Sequence, residues 1–377
     1  MNALRRKIEQ EIRARGPIPF SRYMELGLYD PEHGYYSRNA QQFGKAGDFY
    51  TSSDVHAVFG RLLARQFEEM WRALGSPEQI KLLELGPGRG LFAEDVLAWS
   101  QKKFPDFFRA LRYVLVESSP ALRERIKETL AHHLESGKAE LTPLFALDEA
   151  STSNTIVFAN EFFDALPVEI LSSKGSLRID TRDDRFTETW AQPSPEELEF
   201  LDRYSIHPEA EERVETPLAA QHSMQQVAAG MRNGFVVVID YGYTREEQLA
   251  GRHRGTLKAL RQHSVSANPY EAPGEQDITA DVNFTALAAA AAGKHGMQSQ
   301  KLLTQSQFLM GIGEASQFAD AFEECRLPQE RAKVALQLKH LVTPAGMGES
   351  FHVLIASNGV AQESVKSLSG LSFSRGR

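Results

Sequence analysis

The run Leu82-Leu83-Glu84-Leu85-Gly86-Pro87-Gly88-Arg89-Gly90 constrains this chain more than any other stretch. A short apolar segment enters a loop with glycine at every second position. It leaves through Leu91-Phe92-Ala93-Glu94-Asp95-Val96-Leu97, which has helical periodicity. Glycines placed this way let backbone amides approach a ligand where a Cβ would collide. The helix behind them turns its free amides and positive dipole end toward the same place. The unit predicts a doubly wound, Rossmann-like α/β sheet with a nucleotide pocket at its carboxyl edge.

Two acids narrow the ligand. Glu84 ends the first strand two residues before the first glycine, where a dehydrogenase fingerprint does not demand a carboxylate. An acid there can hold the ammonium of S-adenosylmethionine, directly or through water. Tyr113-Val114-Leu115-Val116-Glu117 reads as the second strand, and its terminal acid can take both ribose hydroxyls. Gly90 and Glu117 stand further apart than the roughly 20 residues usual for this role, and a longer helix with a turn over residues 102–109 absorbs the difference. Either acid can also be a solvated strand end.

At 377 residues the chain exceeds what one core usually supports, so one main domain with insertions, or two domains, is expected. A net charge of -8 leaves no basic footprint for nucleic acid and suits a basic peptide partner. The single cysteine, Cys325, excludes an internal disulfide and a thiolate zinc cluster, which points to a reduced compartment and no metal. No apolar run approaches the roughly 18 residues of a membrane span. Residues 1–15 are basic, with Leu4, Ile8 and Ile12 on one face, but Glu9 and Glu11 argue against an import signal. A cytoplasmic protein is expected.

Along the chain, residues 1–77 read as an N-terminal helical cover over the pocket, including a helix over 55–74 with a cap at Ser53 or Asp54. Asp48 and Thr51 lie in its polar turn, as site or as capping residues. Phe20, Met24, Tyr35 and Tyr36 read as the cover's own core, with a homodimer face as the alternative. Residues 78–167 hold the first part of the sheet, with a third strand over 140–145 and a fourth at Thr155-Ile156-Val157-Phe158-Ala159. That fourth strand ends in Asn160-Glu161-Phe162-Phe163-Asp164-Ala165-Leu166-Pro167, beside the first strand at the topological switch point. Glu161 and Asp164 can face the same side there; the alternative is a helix cap and a solvated acid.

Residues 168–232 read as an inserted recognition region with short antiparallel strands. The second part of the core spans 233–363, with a wholly apolar fifth strand over 235–239, a long functional loop over 243–284, a strand over 298–304 and a last strand over 351–356. Residues 364–377, rich in Ser, Gly and Arg, are expected to be disordered.

These motifs together resemble the MidA family of class I S-adenosylmethionine-dependent methyltransferases. The resemblance rests on Gly47-Asp48-Phe49 with Thr51-Ser52, the glycine loop, Asn160-Glu161-Phe162-Phe163-Asp164 with Leu166-Pro167, Asp240-Tyr241-Gly242, and Asp277-Ile278-Thr279-Ala280-Asp281-Val282-Asn283-Phe284. The chain departs at Ser53 and Asp54, where the family often has proline and glutamate, and at Leu260, where it often has an aromatic. The resemblance implies a seven-stranded sheet whose last strand is antiparallel. It implies S-adenosyl-L-methionine as cofactor, held through Glu84, Gly86, Pro87, Gly88, Gly90, Glu117, Asn160 and Thr51. It further implies symmetric dimethylation of an arginine in a respiratory NADH dehydrogenase subunit.

Methyl transfer from a sulfonium is an in-line displacement, in which positioning can be worth on the order of 7 to 11 kcal/mol. Guanidinium is a poor nucleophile with a pKa of roughly 12 or above, so it needs carboxylates to grip and orient it. Glu161 and Asp164 are the expected pair, with Asp48 and Asp281 as further candidates. The competing readings are a methyltransferase for another acceptor and a non-catalytic assembly chaperone that binds the cofactor. A nicotinamide oxidoreductase lacks any recognisable hydride-transfer constellation here.

Overall fold

The computed structural model describes residues 2–38, 57–143, 154–183, 185–261, 264–266, 268–294 and 296–375. Its centre is a sheet whose strands follow one path in space: β1 (Ile80–Leu85), β2 (Leu111–Val116), β3 (Ala139–Thr142), β4 (Thr155–Asn160), β5 (Gly234–Tyr243), β6 (Gln298–Ser299) and β7 (Phe351–Asn358), ordered β6-β7-β5-β4-β1-β2-β3. Two further short strands, Val282–Asn283 on β5 and Leu303–Thr304 on β7, bring the sheet to nine. Pairings from β3 through β5 are parallel, and β7 is antiparallel to β5 and β6. Chain order reverses between β1 and β4, which opens a crevice at their carboxyl ends.

Strands buried on both faces need an apolar layer on each side. On one face, helices Ala57–Ala73 and Leu91–Lys103 bring Phe67 and Phe92 onto Phe158 of β4, with the Phe92 and Phe158 rings stacked at 4.5 Å. All three rings belong to the largest core cluster, and cutting one to alanine would cost about 3–5 kcal/mol. On the other face, helices Leu218–Gly230 and Phe284–Ala292 bury Met224, Val227, Leu287 and Ala291 against Val157, Val236 and Val238.

A second body sits over the carboxyl edge. Helices Ala3–Arg15 and Phe20–Tyr29 bury Leu4, Ile8, Ile12, Phe20, Tyr23 and Met24 against Ile170, Leu177 and Ile179 of a five-stranded antiparallel sheet. Ile18–Pro19 joins that sheet as an edge strand beside Gly175–Arg182.

Several expected boundaries move for physical reasons. Helix Ala57–Ala73 lies in the main core, not over the pocket, because its apolar face of Phe59, Leu62, Leu63 and Phe67 meets helix Leu91–Lys103 and β4. The inserted sheet ends at Thr216, since Leu218–Gly230 is one of the helices flanking the main sheet. The stretch over 298–304 is two short strands instead of one. The expected disordered tail is folded through Arg375: helix Gln362–Ser367 and a 3-10 turn bury Val365, Leu368 and Leu371, and the Gly370 amide donates to Gln66 Oε1 at 2.9 Å. The long loop carries its own three-stranded sheet of Lys258–Arg261, Ser264–Ser266 and Asp277–Thr279.

Candidate functional site

A cavity of about 710 Å³ opens at the carboxyl ends of β1, β2 and β4, between the main sheet and the second body. Its floor is the glycine loop, where each glycine has its own reason. Gly86 has φ +64°, and a Cβ there would come 3.0 Å from the Phe162 ring. Gly88, at φ +56°, lines the cavity, and a Cβ there would meet no protein atom within 4 Å and would project into open space. Gly90 caps helix Leu91–Lys103 at φ +77°, and a Cβ would come 3.4 Å from Leu130, so the third glycine serves helix packing. Gly90 itself does not line the cavity; Pro87 and Arg89 beside it do.

Glu84 is 4 % exposed, and its Oε2 accepts the Tyr113 hydroxyl at 2.8 Å. Burial pushes its carboxyl up to about 8, against the Tyr113 hydrogen bond, which pulls it down. Glu117 accepts the Ser119 amide at 2.8 Å, and burial raises it to about 7. Both line the cavity, with Asn160, whose Oδ1 is buried without a hydrogen-bond partner. Of these groups, the Asn160 oxygen is the one for which a bound molecule would supply a donor that the protein does not.

The opposite wall is the turn after β4. Glu161 holds φ +50°, a left-handed conformation costly for a residue with a Cβ. Its amide is fixed to Ile239 O at 3.0 Å, and Asn160 Nδ2 donates to its Oε1 at 3.2 Å. Asp164, 5 % exposed, accepts the Tyr241 hydroxyl on Oδ2, while its Oδ1 lacks a partner in hydrogen-bonding geometry. Burial raises it to about 6, opposed by the Tyr241 hydrogen bond and by backbone amides of its own turn. Both acids line the cavity.

Asp281 does not. Its carboxylate lies 3.0 Å from His253 Nδ1 and 3.0 Å from Lys258 Nζ, outside the residues that line this space. Asp48 and Thr51 fall outside the described residues. Residue-by-residue reading missed Tyr113, Tyr29, Tyr36 and Asp277. A tyrosine buried in a strand beside a strand-terminal acid signals a needed hydrogen-bond partner, and Tyr113 carried that signal. Tyr36 donates to Asp277 Oδ1 at 3.0 Å and Tyr29 to Ala165 O at 2.9 Å, contacts between segments too distant in the chain to be read from it.

Over residues 62–303 the chain matches a family described as "Putative S-adenosyl-L-methionine-dependent methyltransferase". The chain belongs to this family. Its cofactor is S-adenosyl-L-methionine, and the earlier resemblance to MidA proteins stands with it. The chain is 28% identical to the mitochondrial protein arginine methyltransferase NDUFAF7 homolog of Drosophila melanogaster, over 95% of this chain and 85% of that protein. To the mitochondrial protein arginine methyltransferase NDUFAF7 of Danio rerio it is 29% identical, over 93% of this chain and 86% of that one. A crystal structure of a COG1565 superfamily member from Burkholderia thailandensis, bound to S-adenosyl-homocysteine, superposes with a TM-score of 0.82 at 29% identity, covering 98% of this chain and 94% of that one.

The methyltransferase's glycine-loop end fits such a cofactor. It joins open space at Gly88, two carboxylates able to accept from an ammonium and from hydroxyls, and an unpartnered amide oxygen on Asn160. Among the described residues no helix is long and apolar enough to cross a membrane, and no group of acids, histidines and cysteine is arranged to hold a metal ion.

Proposed function

We propose that this methyltransferase modifies a protein arginine, symmetrically dimethylating one in a respiratory NADH dehydrogenase subunit. One observation carries the reading. Beyond Glu84 and Glu117, the described residues that line the cavity include the acids Glu25, Glu161, Asp164, Glu169 and Asp277, against the basic Arg22, Arg89 and His222. A wall so rich in carboxylates suits a cationic, donor-only side chain, and guanidinium presents five N–H donors and no acceptor. The names of the mitochondrial relatives point the same way.

In this reading Glu84 meets the ammonium of the cofactor, Glu117 the ribose hydroxyls, and the Gly86–Gly90 loop the methionyl chain. When bound, the cofactor supplies an electrophilic methyl on sulfur. Glu161 and Asp164 hold the guanidinium and direct one nitrogen toward that methyl, drawing positive charge to the other two. Asp164, raised toward neutrality by burial, takes the proton that leaves the methylated nitrogen more readily than an ordinary carboxylate would. The second body over the carboxyl edge recognises the protein around the arginine.

The test is isotope transfer from labelled S-adenosyl-L-methionine to isolated respiratory NADH dehydrogenase, followed by amino-acid analysis. Label in symmetric dimethylarginine, lost by at least about 100-fold in Glu161→Gln with cofactor affinity unchanged, is the expected outcome. Label on another residue type, or a wild-type rate in Glu161→Gln, would overturn it.

A further inference from the structure

Asp240-Tyr241-Gly242 was singled out as a motif, yet neither the cofactor nor the acceptor assignment uses it. Asp240 ends the apolar run of β5 with no exposed surface at all. A carboxylate there is expensive unless its oxygens are engaged, and they are engaged by the turn that carries the acceptor acids. Oδ2 accepts the amides of Phe163 at 3.0 Å and Asp164 at 3.3 Å, and Oδ1 accepts the Tyr241 amide at 3.0 Å. The next residue reaches the same turn from its side chain, because the Tyr241 hydroxyl donates to Asp164 Oδ2. One strand end therefore grips the turn twice, by its backbone and by its working carboxylate.

The grip has two effects. It holds residues 161–164 in a path that includes the left-handed Glu161, a conformation that persists only where surroundings over-determine it. It also occupies Oδ2 of Asp164, a side chain more than nine-tenths buried at the cavity wall, while Oδ1 has no partner in full hydrogen-bonding geometry and feels only the amides of its own turn. A carboxylate with two equivalent oxygens can rotate between donors, whereas one with an oxygen already bound presents the other in a fixed direction.

We propose that Asp240 and Tyr241 are a positioning pair: Asp240 sets the backbone of the acceptor turn, and Tyr241 fixes the orientation of the Asp164 carboxylate that receives the methyl acceptor's N–H. This rests on the reading of Asp164 as an acceptor-binding group. Neither residue is among those lining the cavity; both stand on β5, and Tyr241 packs edge-on to Phe351 and lies under Lys258.

Tyr241→Phe keeps the ring and removes only the donor. Nα-acetyl-arginine amide is titrated by calorimetry into wild type and variant, each saturated with S-adenosyl-homocysteine. The variant is expected to bind the amide about tenfold more weakly, the scale of one hydrogen bond to a charged group, while its affinity for S-adenosyl-homocysteine stays unchanged and its melting temperature falls by only a few degrees. Equal amide affinity in the two proteins overturns the proposal.

A second readout does not depend on arginine. The groups that act on Asp164 are Tyr241 and Asp240 from β5, Asp281 from the long loop, and Tyr29 and Tyr36 from the N-terminal helices. Of these side chains, Tyr241 is the one whose hydrogen bond holds the carboxyl down, alongside the backbone amides of Asp164 and Ala165, which the substitution leaves in place. Carbon-13 aspartate NMR, with the resonance assigned through Asp164→Asn, should therefore show the Asp164 titration moving to higher pH in Tyr241→Phe. An unmoved titration overturns the proposal. If wild type ignores the arginine amide while the titration moves, the arginine reading falls and the positioning pair stands for another acceptor.

Discussion

The two ends of the cavity are built by opposite means. At the glycine-loop end the wall is backbone: three residues with positive φ, a helix start behind them, and acids at strand ends whose side chains reach over short distances. At the opposite end, the turn after β4, the wall is side chain held by side chain, with Glu161 in a left-handed conformation and Asp164 gripped from β5 across 77 residues of chain. A backbone wall recognises a ligand common to many enzymes, and the same loop works wherever a strand meets a helix. A side-chain wall depends on several elements arriving together, so it can be specific and it can be broken in more ways.

The sharpest way to break this contrast is at Gly88. Gly88→Val adds its side chain into open cavity, where no protein atom stands within 4 Å, and imposes a β-branched residue at φ +56°. Calorimetric binding of S-adenosyl-homocysteine is expected to fall by at least about 100-fold while circular dichroism still reports the folded sheet. If binding survived, the loop would not be where the cofactor lies. Smaller, and still at this end, is Glu117→Gln. The amide keeps one acceptor oxygen and loses the charge, so the cofactor affinity should fall by roughly 10- to 100-fold, the worth of a hydrogen bond to a charged group. An unchanged affinity would mean that Glu117 serves only Ser119 and the helix it caps.

The same contrast explains what could be read from the chain. The glycine loop, β1, β4 and β5 were legible because their signals are local: apolar runs of strand length, a turn that only glycine fits, an acid at a fixed offset. Helix Leu218–Gly230 was not separated from the insertion before it, since its sequence, with Gln221, His222, Gln225 and Gln226 among its alanines, is weakly amphipathic and becomes a core helix only by meeting Phe284–Ala292. The tail was misread for a related reason. Its serines and glycines look like solvent-facing chain, yet Gly370 packs against Phe308 and bonds Gln66, partners some 60 and 300 residues away. Asp281 shared a motif with the cavity residue Asp277, but its nearest charges, His253 and Lys258, draw it elsewhere. Asp240 and Tyr241 were visible as a motif, while their role became visible only when β5 was seen to lie beside β4.

The smallest effect concerns Glu84, and it sharpens the comparison by asking how even the backbone-built end handles a charge. In the free protein burial holds this carboxyl near a pKa of about 8, so at pH 7 it is mostly neutral. The unfolded chain ionises near the ordinary value of about 4.3. Between these two pH values the unfolded state has released a proton that the folded state retains, so this group's contribution to stability is full at low pH and is lost as pH rises through 8. Glu117, raised to about 7, acts in the same direction. A ligand ammonium reverses this by stabilising the carboxylate, so binding at pH 7 must expel a proton. Titrations in two buffers of different ionisation enthalpy should show release of a fraction of one proton at pH 7. That release should shrink toward pH 8 and turn to uptake once the ligand's own ammonium has lost its proton. The melting-temperature gain from ligand should widen over pH 5 to 8, because the free fold weakens while the bound one does not. Glu84→Gln should abolish most of the proton exchange and flatten the free protein's pH profile. If proton release at pH 7 were the same in wild type and Glu84→Gln, the ammonium would be met by some other group, and the acid preceding the glycines would belong to Tyr113 alone.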